Sequence, residues 1–158
     1  MPSWLARPYT AFARTAAGRL VGIHVMTKVD PYLLRWTRGR ISLFGIYPHV
    51  QLSVPGIRSG VIRTVPLLYF TRGAEVIVIA SSFGRDDHPQ WYRNVMAHPQ
   101  VTLTASGTAH DYVARQLTGA ERDARYADAV RLYPGYADYA RRTAAVGREI
   151  PVMALRPA

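Results

Sequence analysis

The chain contains no cysteine among its 158 residues. That excludes a disulfide scaffold, a cysteine nucleophile and any thiolate metal site, and it suits a cytoplasmic protein. Lysine is almost absent: of the 20 basic residues only Lys28 is a lysine, and the rest are arginines. Acidic residues number 10, leaving a net charge of +10. No apolar run approaches the ~20 residues of a spanning helix. Arg7, Arg14 and Arg19 interrupt the N-terminal segment, so no signal peptide is expected. The five histidines (His24, His49, His88, His98, His110) show no metal-binding spacing, and no metal is expected. Walker and Rossmann glycine loops are absent, and so is the nucleophile elbow Gly-x-Ser-x-Gly.

What is present is globular: 49% hydrophobic and 19% charged residues, enough for one core. Planar guanidinium forks suit phosphate and carboxylate. The expected partner is therefore anionic: a phosphorylated cofactor, a nucleic acid or an anionic membrane surface.

Residues 1–40 stand apart. They hold seven basic residues against the single acid Asp30, a net of +6. Trp4, Leu5, Tyr9, Phe12 and Ala13, and then Leu33, Leu34 and Trp36, recur at near-helical spacing. The segment reads as a basic helical arm. It lies on an anionic membrane, covers a ligand, or packs on the domain with a solvated charged face.

From residue 41 to 158 the pattern is that of one mainly β domain. Strands are predicted at His49–Val54, Ile62–Phe70, Glu75–Ala80, Val101–Ala105, Tyr112–Leu117 and Pro151–Leu155. The run Val76–Ala80 is apolar throughout, as a strand buried on both faces should be. Helices are predicted at 88–98, with Asp86 or Asp87 capping and Pro89 in the first turn, and from the capping-box pattern Thr118–Glu121 to about Leu132. Pro134 breaks or restarts that helix. Short strands with helices between them suggest an antiparallel barrel with peripheral helices, an α+β fold that is mainly β.

Three segments carry candidate chemistry. In Gly56-Ile57-Arg58-Ser59-Gly60, followed by Arg63, backbone N–H groups, a hydroxyl and two guanidiniums can converge on a phosphate. The same pattern also fits a plain hairpin with solvated arginines. Ala80-Ser81-Ser82-Phe83-Gly84 leaves a buried strand, where polar groups can meet the edge of a heterocycle, and is followed by Trp91, Tyr92 and Asn94. Those two aromatics fit a helix–barrel contact equally well. Tyr133, Tyr136 and Tyr139 recur every third residue, so a helix places them on one face. Pro134 and Gly135 put that face at a helix start, where deep burial is not expected.

The order of these segments is more specific than any one of them. Gly56-x-Arg58-Ser59-Gly60…Arg63-x-x-Pro66-Leu67, Val78-Ile79-Ala80-Ser81…Pro89-x-Trp91-Tyr92-x-Asn94…His98-Pro99-x-Val101, Tyr133-Pro134-x-Tyr136-x-x-Tyr139 and Ile150-Pro151-Val152 together resemble the deazaflavin-dependent nitroreductase family over residues 50–156. The resemblance implies a split β-barrel, related to the FMN-binding split barrels, that uses the anionic 5-deazaflavin coenzyme F420 rather than FMN. It implies that Gly56, Arg58, Ser59, Gly60 and Arg63 hold the phosphate and acidic tail. Pro66, Ala80, Ser81 and Ser82 would line the deazaflavin, while Trp91 and Asn94 would close its groove. Ser81, Tyr133, Tyr136 and Tyr139 would face the substrate.

The implied reaction is hydride transfer from reduced F420 to a quinone, a nitroaromatic or an activated C=C bond, with Tyr136 or Ser81 handling the balancing proton. The chain departs from the family pattern at Pro55, where Thr is usual, at Ile57, where Arg is usual, at Arg58, where Lys is usual, and at Ser82, where Lys is usual. Tyr69 stands one position later than the usual tyrosine, which turns it to the opposite strand face. The alternative reading is a non-catalytic split barrel that binds a lipid, a flavin or another small ligand. Nucleic-acid binding is not expected, because no recognition-helix or aromatic-strand signature accompanies the arginines. A dimer is left open, as no segment marks its face. The protein is expected in the cytoplasm, at a membrane if the arm touches one.

Overall fold

A computed structural model describes residues 48–158. The predicted arm 1–40, and residues 41–47 of the predicted domain, lie outside the described residues. Pro48–Ala158 forms a compact unit.

Six antiparallel strands close into a barrel: β1 (His49–Pro55), β2 (Ile62–Arg72), β3 (Glu75–Ile79), β4 (Gln100–Ala105), β5 (Thr108–Leu117) and β6 (Val152–Pro157). Around the barrel the order is β1-β2-β3-β6-β5-β4, and β4 returns to β1. Three helices lie between strands: α1 (Gln90–Ala97), α2 (Gly119–Leu132) and α3 (Gly135–Ala144). This is the expected α+β split barrel with peripheral helices.

Alternation puts Val50, Leu52 and Val54 of β1 inside. The register sets Leu52 opposite Val65 of β2 and Leu103 of β4, and Val78 opposite Met153 of β6. Val65, Leu67 and Tyr69 of β2 pack against that core, so Pro66 falls on the outer face. The late position of Tyr69 therefore does turn it inward. Every residue of β3 after Glu75 is buried. Val76 and Val78 face the barrel core, and α2 packs against β3 and β6 from outside.

Three local expectations fail. β5 begins at Thr108, four residues before the predicted Tyr112. Residues 108–111 are all exposed, and their strand form comes from pairing with β4. The capping box does not form: the Thr118 side chain makes no cap bond, and Glu121 is taken by the Arg115 guanidinium at 2.7 Å. Neither Asp86 nor Asp87 caps α1. Pro89 occupies its N-cap, and Asp87 instead pairs with Arg93 at 3.4 Å.

Candidate active site

The turn between β1 and β2 is built from its own backbone. The Gly56 N–H donates to Val61 O (2.9 Å), and the Gly60 N–H donates to Gly56 O (2.8 Å). Gly60 sits at φ +66°, a backbone conformation that a side chain disfavours. The Ser59 hydroxyl accepts the Val61 N–H at 3.3 Å. The Ile57 N–H goes to Asn94 Oδ1 of α1 at 3.2 Å. Three backbone donors expected to face a phosphate, those of Gly56, Ile57 and Gly60, are thus used within the fold, and Ser59 braces the turn. The guanidiniums of Arg58 and Arg63 make no ion pair among the described residues. Arg72, Arg115, Arg122, Arg125, Arg131, Arg141 and Arg156 each pair with a carboxylate. Arg58 and Arg63, at the predicted phosphate turn, are two of the arginines left without an ion pair among the described residues; Arg85 lines the cavity and Arg142 lies over the Tyr139 ring.

Asn94 is buried and its side-chain oxygen also accepts from Gln90 Nε2 at 3.0 Å. One face of α1 is thereby tied to the turn. Its Trp91 and Tyr92 pack on the barrel core, and the Tyr92 hydroxyl donates to Gln116 Oε1 at 2.8 Å. The helix also walls a polar cavity of about 580 Å³ lined by Ser82, Arg85–Gln90 and Arg93.

β3 gives way to buried Ala80 and half-buried Ser81, just before Ser82 of the cavity lining. Ser82–Gly84 then makes a single 3₁₀ turn. Three successive residues have positive φ: Ser82 at +50°, Phe83 at +55° and Gly84 at +72°. Such backbone at non-glycine positions stores strain and persists only where surroundings enforce it. The start of α3 is one enforcing surface. A Cβ on Gly84 would lie 3.1 Å from Tyr139 Cα, and the Phe83 ring meets Tyr139 edge-on at 6.4 Å.

Tyr133 closes α2 in extended backbone and only Tyr136 and Tyr139 lie on α3, so the three do not share one helix face; their rings instead form a buried cluster. Tyr136 packs edge-on against Tyr133 (5.4 Å) and Tyr139 (6.0 Å). A fourth ring that sequence reasoning missed, Tyr126 of α2, lies 6.3 Å from Tyr136 and donates its hydroxyl to Tyr136 O at 2.8 Å. Burial pushes the Tyr126 phenol up to about 12 and raises that of Tyr136 further still. Both stay protonated at neutral pH.

The arrangement runs from the arginine turn, across α1 and its cavity, to the Ala80–Gly84 turn and the tyrosines. Pro66 lies apart from the core-facing side, on the outer face of β2. Among the described residues no cluster of His, Asp or Glu could hold a metal ion, and no helix is long and apolar enough to cross a membrane.

The sequence profile of the F420H(2)-dependent quinone reductase family matches residues 33–157. The chain belongs to that family. The reductase is 35% identical over 114 residues to a Mycobacterium tuberculosis protein provisionally named for the same activity, covering 70% of this chain and 90% of the relative. It is 30% identical over 142 residues to an F420H(2)-dependent quinone reductase of the same species, covering 87% and 93% of the two chains. A solved F420-H2 dependent reductase, FDR-A, superposes with a TM-score of 0.62 at 36% identity, covering 69% of this chain and 94% of its own. Membership makes this chain an oxidoreductase whose reductant is reduced coenzyme F420 and whose acceptor is a quinone. The donor set fits such a group: uncommitted guanidiniums at one end suit a phosphate and acidic tail, and a polar cavity beside buried rings suits a heterocycle.

Proposed function

We propose that the reductase binds F420 along the path from the Gly56–Gly60 turn to the Ala80–Gly84 turn, and presents a quinone there. The observation that supports this path most directly is the absence of ion-pair partners for Arg58 and Arg63 among the described residues. These two cations hold the phosphate and tail, with Gly56 and Gly60 shaping the turn and Ser59 bracing it. Asn94 acts from behind, through Ile57, to set the turn against α1. Ala80, Ser81 and Ser82 form the polar edge that meets the heterocycle. Trp91 and Pro66 bound the groove.

When bound, reduced F420 supplies a hydride, and a quinone that takes up this hydride and one proton leaves as the hydroquinone. The chain's part is to hold two planar rings in contact and exclude water. The Ser81 hydroxyl orients a quinone oxygen. The Tyr136 phenol, kept neutral by burial, acts as a fixed hydrogen-bond donor rather than an ionising acid. Tyr133 and Tyr139 pack Tyr136 in place and supply apolar ring surface. Nitroaromatics and activated C=C bonds accept a hydride by the same geometry.

The test is a fluorescence titration with F420, with FMN in parallel, followed by quinone turnover with reduced F420. Saturable F420 binding that weakens in an Arg58→Ala/Arg63→Ala variant supports the path. Binding that ignores both substitutions sinks it.

A further inference from the structure

Arg148 is buried, and none of its hydrogen-bond partners is a carboxylate. Its Nη2 donates to Ala80 O at 2.7 Å. Its Nη1 donates to Ser81 O at 3.2 Å and Arg85 O at 2.7 Å. Its Nε donates to His88 Nδ1 at 3.1 Å. One guanidinium therefore clasps both ends of the left-handed turn and the imidazole that precedes α1.

The placement begins at the end of α3. Gly147 takes φ +69°, and the Arg148 N–H returns to Thr143 O at 2.9 Å, a Schellman-type ending. That ending aims the side chain under the turn. Burying a charge against carbonyls and a neutral imidazole, with Asp86 and Asp87 acting on it only without contact, is expensive, and a chain that needed only packing would be served by an apolar residue. The five N–H groups of arginine meet the geometric need: a planar fork reaches three carbonyls and an imidazole at once.

The bond to His88 has a chemical consequence. An arginine Nε always carries its proton, so His88 Nδ1 must accept. The imidazole is then neutral, with its proton on Nε2. His88 lines the cavity, so the tautomer leaves Nε2–H as the ring's donor at that wall. The other charged and titratable groups around His88 are Arg93 and Tyr92 of α1, Asp87 beside it, and Arg85 and Asp86 of the same cavity wall.

We propose that Arg148 is a positioning residue of the reductase site, holding the Ala80–Arg85 turn in its strained form and fixing His88 as the neutral Nε2–H tautomer. Protonating Nδ1 would set two donors against each other. The imidazole therefore resists protonation where an ordinary histidine accepts it. Burial and the Arg148 and Arg93 charges act in the same direction, lowering the pKa of His88, while Asp87 opposes them. The functional meaning of this positioning rests on the F420 reading, but its test does not need the cofactor.

The test is long-range ¹H–¹⁵N correlation of the histidine rings in the full chain without cofactor, with His88 assigned by loss of its signal in His88→Gln. The expected wild-type result is an Nε2–H tautomer that titrates below the ordinary imidazole value of 6.5. In Arg148→Gln the midpoint rises above the wild-type one, because a cation that lowers it is gone while Asp87 remains. Should that variant not fold, Arg148→Lys serves, because lysine lacks the fixed Nε–H of the guanidinium plane, although its retained charge makes the change smaller. Its midpoint also rises. A wild-type His88 that titrates normally, or a midpoint unmoved in the folded variant, overturns the proposal. Failure of F420 to bind wild-type protein would instead strike the proposed function and leave the imidazole result standing.

Discussion

Asn94 of α1 accepts the backbone N–H of Ile57 at 3.2 Å, fastening the β1–β2 turn to the helix that walls the cavity. The same oxygen takes a second bond from Gln90. Asn94 is 2% exposed, so its role is to brace the turn from within. Asn94→Ala removes the shared acceptor. The expected loss is about 1–3 kcal/mol of stability, read as a lower denaturant midpoint. F420 affinity should fall as well, because Arg58 loses its fixed position. A variant that loses stability but binds F420 as tightly as wild type would separate the turn from the ligand.

Ile57 is 52% exposed beside Arg58 at a turn expected to meet a polyanion. An apolar side chain there forgoes a cation. Ile57→Arg should tighten F420 binding by several-fold at low salt, with the gain shrinking as salt rises. Folding stability should stay within about 0.5 kcal/mol of wild type, since the site is on the surface. Fluorescence titrations at two ionic strengths decide it. An equal affinity at both would place the acidic tail elsewhere.

Much of the barrel was legible because strand alternation reports a one-sided environment. Val50, Leu52 and Val54 alternate with half-exposed neighbours, and Val76–Ala80 has no alternation because both of its faces are covered. The start of β5 was hidden for the converse reason: residues 108–111 bury nothing. The left-handed turn was also hidden, since Ser82 and Phe83 are not residues that advertise positive φ. Arg148 could not be singled out among so many arginines. Its distinction is its partners, three carbonyls from 63 to 68 positions away and an imidazole 60 positions away. The tyrosine triplet was read as one helix face where deep burial was not expected; Pro134 splits it between two elements, and Tyr126 and Gly84 reach its rings only through the tertiary fold.

Gly84 is doubly constrained. Its φ of +72° disfavours a side chain, and a Cβ would meet the Tyr139 backbone at 3.1 Å. Gly84→Ala should destabilise by about 1–3 kcal/mol and push α3 away from the turn. The readout is quinone KM, which should rise more than F420 affinity falls, because the tyrosines move while Arg58 and Arg63 do not. Equal changes in both would place the tyrosines beside the cofactor rather than the quinone.

Glu75 opens β3 and gathers two guanidiniums across neighbouring strands: Arg156 Nε of β6 at 2.6 Å and Arg115 Nη2 of β5 at 3.1 Å. Arg115 also holds Glu121 of α2, so one carboxylate joins three strands to the helix that covers them. The hydrogen bond from Arg156, followed by those from Arg115, holds the Glu75 carboxyl below its ordinary value of 4.5, against the opposing effect of burial. A depressed folded-state pKa means that the unfolded chain binds the proton more readily. The stabilisation is therefore fully present above about pH 4.5 and is lost as pH falls through the folded-state value. Glu75→Gln should lower stability at pH 7 by about 1 kcal/mol, leaving both arginines without their shared anion. As pH falls through the folded-state value the two proteins should converge, because wild-type Glu75 is then becoming neutral as well. Denaturant midpoints at pH 7, 5 and 3.5 test this. A constant gap across all three would mean that Glu75 acts through packing and not through its charge.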